Sequence, residues 1–467
     1  STIYRDTLFT AVKGRFSNKE DGEKAFAGIA GKPFEITDIT KKKGSEAPPH
    51  LFDLTSLQVE CNKKFSYSAE TTLNLIQSLY EKKFTTYPRV DTQYLSDDIY
   101  PKCPSILRGL RGYETWIQPL IDRPLIKSKK VFDTSKVTDH HAIIPTGVPI
   151  QNLTDMERNV YDLITRRFVS VFYPDCKFAT TTVFGAVDKT EFKVSGKEIL
   201  APGWRIVYEK EQQVQDDDET KKSDEERTLP TFTKGESGQH TPTLTEKQTT
   251  PPKYYTEATL LRAMETAGKF VEDEALRSAL KENGIGRPSS RASIIETLFK
   301  RHYIKRERKN LLATPTGIEL IDTIHEELLK SCELTGIWEK KLRDIEHQRY
   351  DANQFINELK AQITEIVNGV LRDNSNRRVT VTTEEDLKKK MAKKAASTAR
   401  SSSSKPKKKS RTKETPPHSL PADDSIIGKP CPVCGQGIIL KGRTAYGCSN
   451  WKNDCTFKLP FGKGIGQ

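Results

Sequence analysis

The sequence predicts an α+β protein built from several domains, and three observations carry that expectation. Its 467 residues exceed what one hydrophobic core ordinarily organises, which sets the count at about two to four domains. Strand-like stretches of period two (residues 1–50 and 175–252) alternate along the chain with stretches of helical period (51–174 and 253–372). Beyond residue 372 the composition turns basic and poor in large apolar groups over 373–425, and a cysteine-rich module closes the chain at 426–467.

Residues 1–50 are read as strands and turns from "TLFTAVKGRF" and "KPFEITDIT", ending at the boundary "KKKGSEAPPH". A new unit starts near Leu51. Within it Ser68 is a good N-cap for "SAETTLNLIQSLYEKK", a helix with Leu73, Ile76 and Tyr80 on one face. That helix runs into "KKFTTYPRVDTQYLS". Pro88 disfavours helical geometry in the residue before it, which puts Tyr87 on a turn just past the helix.

Residues 153–173 return to helix, and alternation in "FATTTVFGAVDKTEFKVSG" and "GWRIVYEK" then predicts strands, interrupted by the acidic loop "QDDDETKKSDEER". From Thr256 the period is helical again in "TEATLLRAMETAG", in "SSRASIIETLFKR" opened by Gly284, Gly286 and Pro288, and in "TGIELIDTIHEELL". The strand pair "YIKRERKNLLATP" separates the last two, a helix-then-wing order. The stretch "KKKMAKKAASTARSSSSKPKKKSRTKETPPHS" is too poor in large apolar groups to offset the entropy of ordering, and reads as a flexible basic tether.

A formal charge of +13 points to a polyanionic partner, most often nucleic acid, because Lys and Arg displace counterions from phosphates. The plainer reading is a soluble basic protein. No apolar run approaches the roughly 20 residues of a membrane helix, and the first residues carry no leader pattern. These features set the expectation of a cytoplasmic, nucleoid-associated protein without membrane partners. Cys61, Cys103, Cys176 and Cys332 are scattered singly, which suits a reducing compartment better than a disulfide framework.

Three stretches carry chemistry. In "YPRVD", a phenol is a poor nucleophile at neutral pH, where ionising it costs roughly 4 kcal/mol. Arg89 supplies a permanent cation suited to both a phenol oxygen and a phosphate. Taken alone the triplet also fits a structural tyrosine. "VTDHHAIIPT" sets His140 and His141 side by side before an apolar segment, and "ENGIGRPSSRASII" puts Arg287, Ser289, Ser290 and Ser293 at a helix N-terminus, where free N–H groups favour an anion. Satisfied histidines and simple helix capping are the plain readings of these two.

In this order, "TTYPRVDTQYLS", "DHHAIIPT", "YTEATLLRAMETAG" and "GIGRPSSRASII" resemble the type IA DNA topoisomerases, most closely the bacterial topoisomerase III branch, from about residue 1 to 370. The resemblance implies an arched, toroidal α+β assembly. Residues 1–50 and 175–252 would form the β-rich arch, 51–174 the catalytic tyrosine domain, and 253–372 a helical, winged base domain that binds single-stranded DNA. It also implies ATP-independent cleavage, passage and rejoining of one strand through a 5′-phosphotyrosyl link, relaxing negative supercoils or decatenating DNA. Tyr87 would be the nucleophile, Arg89 would orient the scissile phosphate, and His140 would position the backbone, with His141 the weaker candidate. Asp91 would brace the loop. Arg287, Ser289, Ser290 and Arg301 match positions that grip the strand. A monomer is expected, with a helicase partner left open.

One departure from the family matters. Its chemistry needs an amino-terminal Toprim domain bringing a glutamate, an Asp-x-Asp cluster for Mg²⁺ and a lysine, and no such segment is present; "QDDDET" is a poor substitute in a charged loop. The chain is therefore expected to be a C-terminal portion, inactive alone, with Mg²⁺ held outside it. A non-catalytic single-stranded DNA-binding fragment is the alternative.

At the end of the chain, Cys431 and Cys434 have two residues between them, Cys448 follows after thirteen more and Cys455 after a further six. Four thiolates on a short hairpin can converge on a tetrahedral Zn²⁺. The segment resembles the zinc ribbons that end many of these enzymes, with Tyr446, Trp451 and Phe457 as faces for stacking bases.

Overall fold

Strand pairing gathers residues from both β-rich segments into one antiparallel sheet, as the computed structural model shows. The structure describes residues 1–208, 228–373, 379, 427–441, 445–450 and 455–460. It comprises two units, Ser1–Thr383 and Glu384–Gln467. In the first, β1 (Thr2–Tyr4), β2 (Thr7–Ala11), β3 (Phe34–Glu46), β4 (Cys176–Val187), β5 (Thr190–Ala201), β6 (Ser237–Gly238) and β7 (Thr241–Pro242) line up in the order β6-β3-β4-β5-β2-β1-β7. The last two strands in sequence are only two residues apart yet occupy opposite edges, so the sheet has to curl until its edges approach. Its concave side is filled by Tyr4, Phe9, Phe34, Ile36, Val183 and Phe192. A Cβ at Gly185 would lie 2.2 Å from the Phe34 ring, so the strand passes close to that ring only because the residue is glycine.

Several expectations need correction here. The first fifty residues are not all strands: α1 (Lys19–Ile29) is a helix capped by Asn18, whose side chain accepts the Asp21 N–H at 2.8 Å. Its apolar positions are few, which hid its period. "KKKGSE" is not a boundary but the end of β3, paired with β4 as far as Glu46–Cys176. "GWRIVY" is not a strand but a 3-10 turn, Gly203–Tyr208. Gly203 takes φ +54° against the Pro174 and Asp175 carbonyls, and Val207 is buried. The acidic loop 215–227 and nearly all of the tether 373–425 lie outside the described residues.

Residues 51–174 form a helical body: α2 (Leu54–Phe65), α3 (Ala69–Glu81), α4 (Cys103–Gly109), α5 (Glu114–Ile121) and α6 (Asp155–Ser170). Ser68 caps α3 as predicted, its hydroxyl accepting the Thr71 N–H at 3.0 Å. The buried face of α3 is Ala69, Thr72, Ile76 and Leu79, and Tyr80 is exposed rather than aligned with Ile76. Asp53 caps α2 in a reciprocal box with Ser56. The core of this body runs continuously from Leu51 to Tyr173.

The end of α4 presses on the loop after "HHAIIPT". A Cβ at Gly109 would sit 1.9 Å from the Gly147 carbonyl oxygen. Backbone cannot retreat as a side-chain tip can, so Gly109→Ala is expected to cost about 2–3 kcal/mol. A melting-temperature difference checks this; a shift of less than about 2 °C would show that the loop yields freely.

Further along come α7 (Glu257–Glu265), α8 (Glu274–Asn283), α9 (Pro288–Lys300), β8 (Ile304–Glu307), β9 (Asn310–Ala313), α10 (Pro315–Thr323), α11 (Glu327–Lys330), α12 (Glu333–Glu346) and α13 (Ala352–Arg372). The wing β8–β9 is present as predicted, whereas "TGIELIDTIHEELL" is broken at Ile324–Glu326 into α10 and α11. Val59 and Ala69 pack with Ala258, Leu261, Ala292 and Ile295, joining α7 and α9 to α2 and α3.

The second unit carries β10 (Ile439–Lys441), β11 (Ala445–Cys448) and β12 (Lys458–Pro460) in one antiparallel sheet. Among the described residues no helix is long and apolar enough to cross a membrane.

Candidate functional site

Helix α3 delivers the chain to Tyr87. Lys83, at φ 63°, turns it just after the helix, and Phe84–Thr86 then run antiparallel to Ile144–Thr146. Thr86 N–H donates to the Ile144 carbonyl at 3.0 Å, Ile144 N–H to Thr86 Oγ1 at 3.0 Å, and Thr146 N–H to the Phe84 carbonyl at 3.0 Å. Farther on, Ala142 N–H donates to the Tyr94 carbonyl at 2.9 Å and Leu54 N–H to the Val90 carbonyl at 3.1 Å. The "YPR" and "HHAIIPT" stretches, some fifty residues apart in sequence, are therefore two sides of one small scaffold. The hydrogen-bonded turn lies at Lys82 and Lys83, and Tyr87 follows in irregular chain just before a bend at Pro88.

Tyr87 is half-buried. Its ring lies 4.5 Å from the His140 ring, tilted by 38°, and the Tyr80 ring meets it edge-on at 5.5 Å. This contact explains why Tyr80 is not turned into the core. His140 is exposed and Arg89 is exposed two residues beyond Tyr87. His141 points elsewhere: its Nδ1 is 2.8 Å from the Ala142 carbonyl, which can only accept, so that nitrogen carries the proton. Burial lowers the pKa of His141, keeping the ring neutral. Asp91 is exposed and lines an open cleft of about 370 Å³ with Asp53, Thr92, Gln93, Tyr94, Lys136 and Thr138.

The glycine-rich stretch is separate in sequence but packed in the same unit. Arg287 is the exposed N-cap residue of α9, and Ser290 donates its hydroxyl back to the Arg287 carbonyl at 3.0 Å. Ser289 is half-buried, and Arg301 is the exposed C-cap of the same helix. A helix of that length holds the two arginines about 20 Å apart, so they cannot share one contact point.

Sequence reasoning missed the residues beneath the site. Glu157 of α6 is buried, accepting the Lys82 ammonium at 2.6 Å and the Ser78 hydroxyl at 2.7 Å. Burial alone would raise its pKa, but those donors, with Thr154, bring it down to about 2. Because the folded value lies below the unfolded 4.5, this contribution to stability is complete above pH 4.5 and is lost as pH falls towards 2. Glu157→Gln is expected to cost about 2 kcal/mol at neutral pH, reduced from a fully buried pair because Lys82 is partly exposed. The variant should also lose that part of the acid sensitivity, which denaturant titrations at pH 3 and pH 7 measure.

In the second unit the four terminal cysteines converge, with all thiols within 4.8 Å of one another. Cys431 and Cys455 are 3.7 Å apart, and Cys434 and Cys448 3.5 Å. Thiolates on tetrahedral zinc at 2.3 Å stand roughly 3.8 Å apart, so the donor set fits that ion. Backbone N–H groups of Gly437 and Gln436 bring the Cys434 thiol down to about 6, whereas burial pushes the Cys448 thiol up. Tyr446 is buried in the sheet and offers no face for a base, contrary to expectation. Phe457 is half-buried, and Trp451 lies outside the described residues.

A curled antiparallel sheet joined to a helical body that presents a half-buried tyrosine against a histidine defines a class: the topoisomerase I-like α+β fold. Full-length topoisomerase I from Thermotoga maritima shares it, with a TM-score of 0.56 at 22% identity over 77% of this chain and 56% of that one. The family model described as DNA topoisomerase matches residues 5–357. The chain belongs to the type IA DNA topoisomerase family and is homologous to bacterial topoisomerase III over about 76% of its length. It is 38% identical over 371 residues to DNA topoisomerase 3 of Bacillus anthracis, covering 76% of this chain and 50% of the relative. The corresponding protein of Bacillus subtilis (strain 168) is 34% identical over 373 residues, covering 78% and 51%. The chain thus spans about half the length of these relatives.

Proposed function

We propose that this chain carries the strand-cleaving and strand-gripping part of a type IA topoisomerase, acting on single-stranded DNA. The observation that carries the reading is the Tyr87–His140 ring pair, fixed at 4.5 Å on a scaffold of paired backbone. Tyr87 attacks a phosphodiester, forming a 5′-phosphotyrosyl bond and releasing a 3′-hydroxyl, and reversal rejoins the strand. The free energy of the broken bond is kept in the phosphotyrosine, so no ATP is consumed. Arg89 and His140 meet the charge that develops on the phosphoryl oxygens, while Arg287 and Arg301 follow the backbone of the bound strand. The curled sheet forms the arch of a toroid that admits the passing strand.

In this reading Mg²⁺, when bound, would supply charge compensation. The described residues contain no acidic cluster suited to it, the cysteine tetrad being of the wrong chemistry. The described residues of this chain are therefore given no role in holding it. Zn²⁺ would be held by Cys431, Cys434, Cys448 and Cys455 and act structurally.

The test mixes the chain with a 3′-end-labelled single-stranded oligonucleotide and Mg²⁺, with and without the amino-terminal half of a relative. A denaturant-stable adduct that needs that half supports the reading. Tight binding with no adduct in either mixture favours the alternative of a non-catalytic single-stranded DNA-binding fragment.

A further inference from the structure

Arg291 is the one basic residue of the "GRPSSR" stretch that turns inward. It is 2% exposed, whereas Arg287 is exposed. Its Nη1 donates to Thr55 Oγ1 at 2.8 Å and its Nε to the Ile285 carbonyl at 3.2 Å. Burial lowers its pKa, and the Glu265 and Asp53 carboxylates work against that. A buried guanidinium is a costly way to fill a core, and apolar residues of similar volume often stabilise such a place better. Its retention needs a reason beyond packing.

The surroundings supply one. Thr55 lies in the first turn of α2, the helix whose N-cap, Asp53, is 5% exposed. Asp53 Oδ1 accepts the Ser56 N–H at 2.6 Å, while Oδ2 accepts Gln93 Nε2 at 2.9 Å. The next residue, Leu54, donates its N–H to the Val90 carbonyl at 3.1 Å. Val90 and Gln93 belong to the segment that carries Tyr87. The start of α2 is therefore a node. One side is bonded to the glycine-rich turn before α9 through Arg291, and the other to the tyrosine segment through Gln93 and Val90.

We propose that Arg291 is a positioning residue that holds the tyrosine segment in register with the Gly284–Arg287 turn, so that a strand seated at that turn is presented to Tyr87. This rests on the function proposed above, but the physical link can be tested without it.

The first test is hydrogen exchange on the chain without DNA, comparing wild type with Arg291→Met and Arg291→Lys. The proposal expects amides of residues 89–95 to exchange about ten times faster in Arg291→Met, with α6 unchanged and Arg291→Lys intermediate. Faster exchange spread evenly over the unit, or none, would overturn it. If Arg291→Met fails to fold, Gln93→Ala cuts the same link from the far side, and the same selective change is required of it. The second test measures adduct formation in the presence of the amino-terminal half. At saturating oligonucleotide the rate is expected to fall about tenfold in Arg291→Met, as for a nucleophile displaced by a fraction of an ångström. The dissociation constant should stay within about twofold. Affinity and rate falling together, or a rate unchanged, would count against the proposal. If wild type forms no adduct at all, the functional reading fails, and the exchange data still decide whether Arg291 holds the segment.

Discussion

Tyr87→Phe is expected to abolish covalent attachment to DNA while leaving the fold and strand binding intact. The substitution removes one oxygen, and that oxygen is the atom that bonds to phosphorus, so loss should reach the detection limit. Neighbouring groups act differently. Arg89→Ala and His140→Ala remove charge and positioning, and each is expected to lower the adduct rate by about 100-fold. The ring of Tyr87 is half-buried against Tyr80 and His140, and phenylalanine keeps those contacts, so the melting temperature should stay within about 2 °C. The assay follows a 3′-labelled oligonucleotide through a denaturing gel, because a 5′-phosphotyrosyl link retains the 3′ portion of the strand. A Tyr87→Phe variant that still forms the adduct would require another nucleophile and would remove the basis of the functional reading.

How much of this was legible in the sequence depended on whether the cause was local. The Ser68 cap and the hairpin of β8 and β9, closed at Arg308–Lys309, act over three or four residues, so both follow from local sequence. The catalytic candidates came from another source, the resemblance of several motifs in order to one family; taken alone, the Tyr-Pro-Arg triplet and the paired histidines also fit structural roles. What stayed hidden depends on partners distant in sequence. β3 runs through three lysines because β4 pairs with it to the end, and no local propensity announces that. Arg291 reads as another surface arginine until Thr55, 236 residues away, is seen to accept its hydrogen bond. Glu157 closes a capping box with Thr154, but its contact with Lys82 emerges only when α3 and α6 pack. Tyr446 shows the opposite error: aromatic composition suggested a stacking face, and the sheet buried it.

The same distinction governs the terminal module, where removing metal is expected to have the second large effect. Its buried residues among those described are few, chiefly Cys431, Ile439, Ala445, Tyr446 and Cys448. Segments of about 40 residues seldom bury enough apolar surface to fold unaided. Two of the buried five are themselves thiols of the tetrad, so what core there is surrounds the ligands. Zinc binding contributes roughly 10–16 kcal/mol of apparent free energy in modules of this kind, most of it spent on ordering the chain. Chelation, or Cys434→Ser, should therefore unpair β10–β12, seen as full hydrogen exchange over 438–448, while the Ser1–Thr383 unit melts unchanged. Emission spectroscopy should find one zinc per chain in the untreated protein. A module that keeps its strand protection after complete metal removal would show that packing alone holds it, and that the convergence of the four thiols is not a metal site.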